Sequence, residues 1–169
     1  MKFLKTIRDI DLGFETPAPN LYRELEAARA VVFDENNNVA LLLSTKNHYH
    51  KLPGGGIEKG EDVKKALNRE VMEETGCQIA DIKELGMIEE YRNEDSLHQI
   101  SYCFIAKLEG KKGKPELTQS EINEGFEPIW LSLDDAIKTL NNEEMNEFRR
   151  GKFMVTRDLL FLNETKKII

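Results

Sequence analysis

Residues Leu52–Glu61 read LPGGGIEKGE, and no regular element runs through them. Pro53 lacks the N–H that a strand interior needs, and Gly54, Gly55 and Gly56 carry no side chains to pack. The stretch is therefore a loop that brings bare backbone close to something. A helix follows from about Asp62 to Thr75, in which Val63, Ala66, Leu67 and Val71 share one face. With Glu70 set at zero and about 100° per residue, Val63 lies at about +20°, Ala66 at about −40° and Leu67 at about +60°. Glu70 sits on the inward stripe, and Glu73 and Glu74 flank it on the next turn.

This acid is poorly placed for a bare helix. Gly76 has the character of a C-cap, and the C-terminal end of a helix carries partial negative charge, so each carboxylate there costs roughly 0.3–1 kcal/mol. Convergent, partly buried carboxylates need a cation or must take up protons. With oxygen ligands alone, the fitting ion is hard and divalent, Mg²⁺ or Mn²⁺. Taken by themselves, the acids are equally well explained by helix ion pairs with Arg69, Lys64 and Lys65. The glycine loop tips the balance: backbone that can approach phosphate, entering a helix rich in carboxylates, suits a phosphate anhydride bridged by Mg²⁺.

Around this centre the chain reads as one α/β domain. At 169 residues it is long enough for a single core. A strand-like stretch, Phe3–Ile10, opens an N-terminal extension (residues 1–25) that Pro17 and Pro19 interrupt. ARAVVF and VALLL, joined by DENNN at Asp34–Asn38, predict a hairpin. GMIEEY and QISYCFIAKL predict further strands, the second with Ile100, Tyr102 and Phe104 on one side and Ser101, Cys103 and Ile105 on the other. KKGKPELTQS is a polar connection, PIWL a short last strand, and Ser132 caps a helix to about Leu140. Helical spacing of Phe148, Lys152, Val155, Leu159 and Leu162 predicts a C-terminal helix over about 142–165, with Gly151 a point of bending. Phe104 and Trp130 are expected in the core.

Composition excludes some functions. A net charge of −7 argues against a nucleic-acid partner held on a basic surface. Cys77 and Cys103, both in apolar sequence, read as buried free thiols, and MKFLKTIRDI offers neither a signal-peptide core nor a membrane span. A cytoplasmic protein acting on a small molecule is expected.

The segment GGIEKGEDVKKALNREVMEETGC resembles the signature of the Nudix (MutT-like) hydrolases. Gly55, Glu61, Arg69, Glu70, Val71, Glu73, Glu74, Gly76 and Cys77 stand in register over residues 55–77, Cys77 replacing a larger aliphatic. The resemblance implies a Nudix-type α-β-α sandwich around a mixed β-sheet over residues 1–169. It implies hydrolysis of a diphosphate linkage in a nucleoside diphosphate joined to another group, with Mg²⁺ or Mn²⁺ as cofactor. Glu70, Glu73 and Glu74 would bind the metal with the Gly55 carbonyl, Arg69 would orient a glutamate, and Glu61 would brace the loop. The alternative is a Nudix-fold module that senses a nucleotide without cutting it, though such members usually lose box carboxylates and this chain keeps them.

The reaction needs a base, either a box glutamate such as Glu70 or Glu73, or an acid of the SEINEGFE loop, where Glu124 leads Glu121 and Glu127. Candidate substrate contacts are His48 and His50, with Tyr49 between them, and on the other side of the box Tyr91, Arg92 and His98. The strand-like N-terminal segment, outside the box core, could pair with or cover a neighbour's edge, and on that ground a homodimer is expected. Nothing in the sequence names the substrate.

Overall fold

A computed structural model describes residues 1–144 and 148–169. Seven strands form one mixed sheet: β1 (Phe3–Arg8), β2 (Arg23–Phe33), β3 (Asn38–Ser44), β4 (Tyr49–Lys51), β5 (Gln78–Arg92), β6 (Leu97–Glu109) and β7 (Phe126–Ser132). The helices are α1 (Val63–Thr75), α2 (Gln119–Glu124), α3 (Leu133–Asn141) and α4 (Arg149–Lys166). The strands lie in the order β1-β5-β6-β2-β3-β4, with β7 on the other side of β3.

Two apolar layers flank the sheet. On one face α1 presents Ala66, Leu67 and Val71 to Ala28, Ala30, Val32, Phe104 and Ala106. On the other, α3 and α4 bring Ala136, Leu140, Phe153, Phe161 and Leu162 against Val31, Leu41, Ile88 and Cys103. Strand alternation thus divides β6, sending Tyr102 and Phe104 towards α1 and Cys103 and Ile105 towards α4. This is the predicted α-β-α sandwich, and each fully buried Leu or Phe in it contributes about 1.5–3 kcal/mol.

The hairpin forms where expected, because Asp34 accepts hydrogen bonds from the amides of Asn36 and Asn38 at 2.9 and 2.8 Å, and Asn37 adopts φ 58°. Its strands then part: β2 and β3 share only the Phe33–Val39 pair. Loop backbone fills the opening. Ala30 and Ala28 of β2 donate to the carbonyls of Pro53 and Gly55, each at 3.0 Å, and Ile57 donates to Glu26 at 2.9 Å. The glycine loop therefore takes the edge bonds that β3 has left.

Several sequence expectations need correction. Strand β2 starts at Arg23, inside the proposed extension, and β5 begins at Gln78, eight residues before GMIEEY. SEINEGFE is not a plain loop, since Gln119–Glu124 form α2, capped by Thr118 and closed by Gly125 at φ 66°. The C-terminal helix starts at Arg149, because Asn142 ends α3; residues 145–147 of the predicted span lie outside the described residues. Gly151 is buried within α4. Strand β1 pairs in parallel with β5 of its own chain.

Candidate active site

Helix α1 is set at both ends. Asp62 accepts from the amides of Lys64 and Lys65 at 3.0 and 3.2 Å, and Gly76, at φ 69°, returns its N–H to Met72. The carbonyls at its C-terminal end meet backbone donors of a distant loop, Glu116 to Glu73 at 2.7 Å and Gly113 to Gly76 at 3.1 Å. Those bonds relieve part of the negative end that the sequence raised as a problem.

Arg69 organises one side of the box. Its Nε and Nη2 grip the Glu61 carboxylate at 3.0 and 2.9 Å, Nη2 also reaches the Gly56 carbonyl at 3.1 Å, and Nη1 donates to Glu70 at 2.7 Å and Glu73 at 3.3 Å. Glu61 also accepts from the Glu58 amide at 3.0 Å. The Arg69 bonds and that amide hold the Glu61 carboxyl down to about 2. Loop and helix are thereby one unit.

Glu70 lies hard against Gly55. A Cβ at that position would overlap its carboxylate, with Oε2 the nearest atom. The Gly55 carbonyl already accepts from Ala28 and keeps one lone pair. Glu73 is the most exposed of the three box glutamates, its side chain 37 % accessible.

Glu74 differs from both. It is buried, and its carboxylate accepts from the Gly54 amide at 2.6 Å and from Lys51 Nζ at 2.6 Å. Burial raises its pKa against the opposing pull of Lys51. Of the cations considered for these acids, Arg69 pairs with Glu70 and Glu73, whereas Glu74 takes Lys51 from β4. Among the described residues, no three carboxylates, imidazoles or thiols already form a metal cage. Arg69 and Lys51 hold the side chains that would build one. The donor chemistry fits a hard divalent ion: carboxylate oxygens of Glu70, Glu73 and Glu74 beside a carbonyl.

Lys51 connects the box to a cleft of about 460 Å³. Its walls include Lys46, Lys51 and Arg150, the rings of Tyr49, Phe126 and Phe148, and the acids Glu121 and Glu124. Glu124, the last residue of α2, is held by the side-chain amide of Asn47. Glu121 instead closes the capping box with Thr118, and Glu127 is exposed on β7. Nothing in the sequence marks Lys46, Lys51, Phe148 and Arg150 as site residues beyond the two lysines that frame KNHYHK just before the loop.

The other candidates separate. His48 is exposed in the β3–β4 turn at φ 53°, while His50 is tied to Glu143, Nδ1 lying 2.5 Å from Oε1. Tyr49 is buried, and burial pushes its hydroxyl up to about 12. Tyr91 stacks on His98 with centroids 4.3 Å apart and lines a different cleft, of about 560 Å³, built largely from residues 8–22. His98 also pairs with Glu24.

Arg92 was expected beside Tyr91, but alternation along β5 turns it inward. It is 5 % exposed and pairs with Glu90 at 3.0 Å. Glu90 also meets Arg157, which binds Asp158 at 2.7 Å, and Asp158 in turn accepts from the Leu52 amide at 2.8 Å. Arg92 belongs to this buried network, which anchors the loop entry to α4.

Comparison with known proteins agrees with the geometry. The model of the NUDIX domain matches residues 23–154. A candidate 8-oxo-dGTP diphosphatase of Bacillus subtilis (strain 168) is 22% identical over 130 residues, covering 75% of this chain and 80% of that protein. An ADP-ribose pyrophosphatase of Methanocaldococcus jannaschii is 40% identical over 81 residues, covering 45% of this chain and 47% of the relative, so the chain spans about half that protein's length. The solved NUDIX hydrolase from Nitrosomonas europaea superposes with a TM-score of 0.60 at 18% identity, over 80% of this chain and 88% of that one, a likeness of fold. With its box in register and its sheet between α1 and α3–α4, the chain belongs to the NUDIX domain family.

Proposed function

We propose that this Nudix hydrolase cuts a diphosphate linkage in a nucleoside diphosphate joined to a second group, releasing a nucleoside monophosphate and a phosphorylated product. The observation that carries the reading is the seat of Glu70. Its carboxylate is fixed by Arg69 against Gly55, in the space that a Cβ there would take, and the neighbouring Glu74 is linked through Lys51 to a cleft with cations and rings on its walls. Lys46 and Arg150 suit phosphate oxygens, and the exposed parts of Phe126 and Phe148 suit a base. The names of the two relatives, both acting on nucleotides, support the substrate class.

Glu70, Glu73, Glu74 and the Gly55 carbonyl would hold Mg²⁺ or Mn²⁺. Such an ion neutralises phosphate oxygens and acidifies a bound water. The chain's own part is to hold these ligands through Arg69 and Glu61, to bind phosphate with Lys46 and Arg150, and to accept the water's proton. A box glutamate, Glu70 or Glu73, and Glu124 in the cleft are the candidates for that last role. We place the reaction in the cytoplasm; no described helix is long and apolar enough to cross a membrane.

The test is phosphate release, after phosphatase treatment of products, from nucleoside triphosphates, nucleotide sugars, ADP-ribose and dinucleoside polyphosphates, with Mg²⁺ and with EDTA. Hydrolysis of at least one in Mg²⁺ and none in EDTA is expected. Binding without turnover across the whole panel would favour the sensing module instead. Loss of the pH-profile's acid limb in Glu124→Gln, and not in Glu70→Gln, would assign the base to Glu124.

A further inference from the structure

The buried end of α1 already holds a cation. Glu74 is 1 % exposed, and its carboxylate is neutralised by Lys51, whose Nζ lies 2.6 Å from Oε1. Lys51 stands at the end of β4, two residues before Pro53, and its side chain is 12 % exposed. The ammonium also lies 4.7 Å from the centroid of the Phe126 ring, a wall of the cleft that Lys51 itself lines with Lys46 and Arg150. One flexible side chain thus stands between an interior carboxylate and the proposed phosphate site.

Both places cannot be served at once by the same ammonium. A divalent cation sharing the Glu74 carboxylate would face the lysine's charge across a few ångströms of poorly solvated interior, where like charges repel strongly. Lysine suits an exchange of this kind, since its ammonium is a point charge on a stem with four rotatable carbons and has no fixed fork to satisfy.

We propose that Lys51 is the exchangeable counter-ion of Glu74: it neutralises that carboxylate in the metal-free protein, yields it to the divalent cation, and then directs its ammonium to phosphate oxygens of the substrate in the cleft. The proposal rests on the reading of Glu74 as a metal ligand. It has a thermodynamic consequence. Phosphate that engages Lys51 frees Glu74, and a cation on Glu74 frees Lys51, so metal and substrate assist each other's binding through one side chain, reciprocally.

The experiment titrates Mn²⁺ calorimetrically into wild type, Lys51→Met and Lys51→Arg without nucleotide, and measures kcat and KM at saturating Mg²⁺ on the best substrate of the panel. Lys51→Met should bind Mn²⁺ about tenfold more tightly yet show a KM raised about tenfold, within the usual range of coupling between sites. Lys51→Arg, which keeps the charge, should remain within about twofold of wild type for Mn²⁺. A lysine that merely supports the fold would weaken Mn²⁺ binding when removed, so unchanged or weaker Mn²⁺ affinity in Lys51→Met overturns the proposal, as does an unchanged KM. Should Lys51→Met not fold, side-chain ¹⁵N spectra of lysine-labelled wild type decide: the Lys51 signal must shift on saturation with Mg²⁺, and a signal that stays put overturns it. If wild type hydrolyses nothing in the panel, the proposed function fails while the Mn²⁺ titration still reads the exchange; if it hydrolyses normally and the titration shows no gain, only the exchange fails.

Discussion

Substituting Gly55 by alanine tests how the box is assembled, because the consequence can be worked from one contact. A Cβ at Gly55 meets only the Glu70 carboxylate among its nearest neighbours, and Gly55 does not need the left-handed backbone. The chain can accept alanine if Glu70 gives way. Giving way breaks the 2.7 Å bond from Arg69 Nη1. A hydrogen bond to a charged group is worth about 1.5–3 kcal/mol when buried, and with the Arg69 side chain 29 % and that of Glu70 13 % exposed, a loss of about 1–2 kcal/mol is expected. For a domain of this size that lowers Tm by roughly 3–6 °C. Activity should fall much further, on the order of a hundredfold, because a displacement of about 1 Å in a group that positions the reaction has that effect. Thermal melting by circular dichroism in EDTA, with kcat in Mg²⁺, reads both. The cycle is closed with Glu70→Ala, which removes the obstacle: in that background Gly55→Ala should cost almost no stability. A drop in Tm of equal size in both backgrounds would show that the strain lies in the loop backbone, and would refute the assignment of the contact to Glu70.

Three further outcomes follow from other contacts. Gly54→Ala should be far more damaging than Gly55→Ala, because Gly54 has φ +131° and its Cβ would strike the backbone carbonyl of Ala28, which cannot turn aside; expression of soluble protein with a wild-type melting curve would contradict this. Asp158→Ala should cost about 3–5 kcal/mol in urea unfolding, since it takes the nearer carboxylate from the buried Arg157 guanidinium, leaving it only Glu90, and strands the Leu52 amide; a loss below about 1 kcal/mol would remove the network from the forces that anchor the loop. The Glu61–Arg69 clamp has a defined pH window. The folded carboxyl is held at about 2, below its ordinary 4.5, so its contribution is fully present above 4.5 and is lost as pH falls from there through about 2. The Tm difference between wild type and Glu61→Gln should therefore be flat from pH 5 to 8 and close below pH 4.5; a difference that closes near neutrality would be inconsistent with the clamp.

Much of the site is written in short-range sequence. Asp62 and Gly76 mark the ends of α1, the spacing of Val63, Ala66, Leu67 and Val71 sets its inner face, and Glu73 meets Arg69 because residues four apart on a helix share a face, whereas the adjacent Glu70 is reached by the long arginine side chain bending across the helix surface. The same local logic places the Asp34–Asn38 turn and the two faces of β6. Other features depend on segments that meet only after folding. Lys51 finds Glu74 across 23 residues, and Asp158 finds the Leu52 amide across 106. The glycine loop lies where it does because β3 leaves β2 and exposes the amides of Ala28 and Ala30. Tyr91 and Arg92, adjacent in sequence, part company for a simple reason: successive strand residues face opposite sides, and one side of β5 at this point carries His98 while the other carries Glu90 and α4. The acidic helix end shows the division most clearly. Composition and position alone require a cation or protons there, but which of them answers is a matter of what the sheet brings within reach, and in this fold β4 brings a lysine.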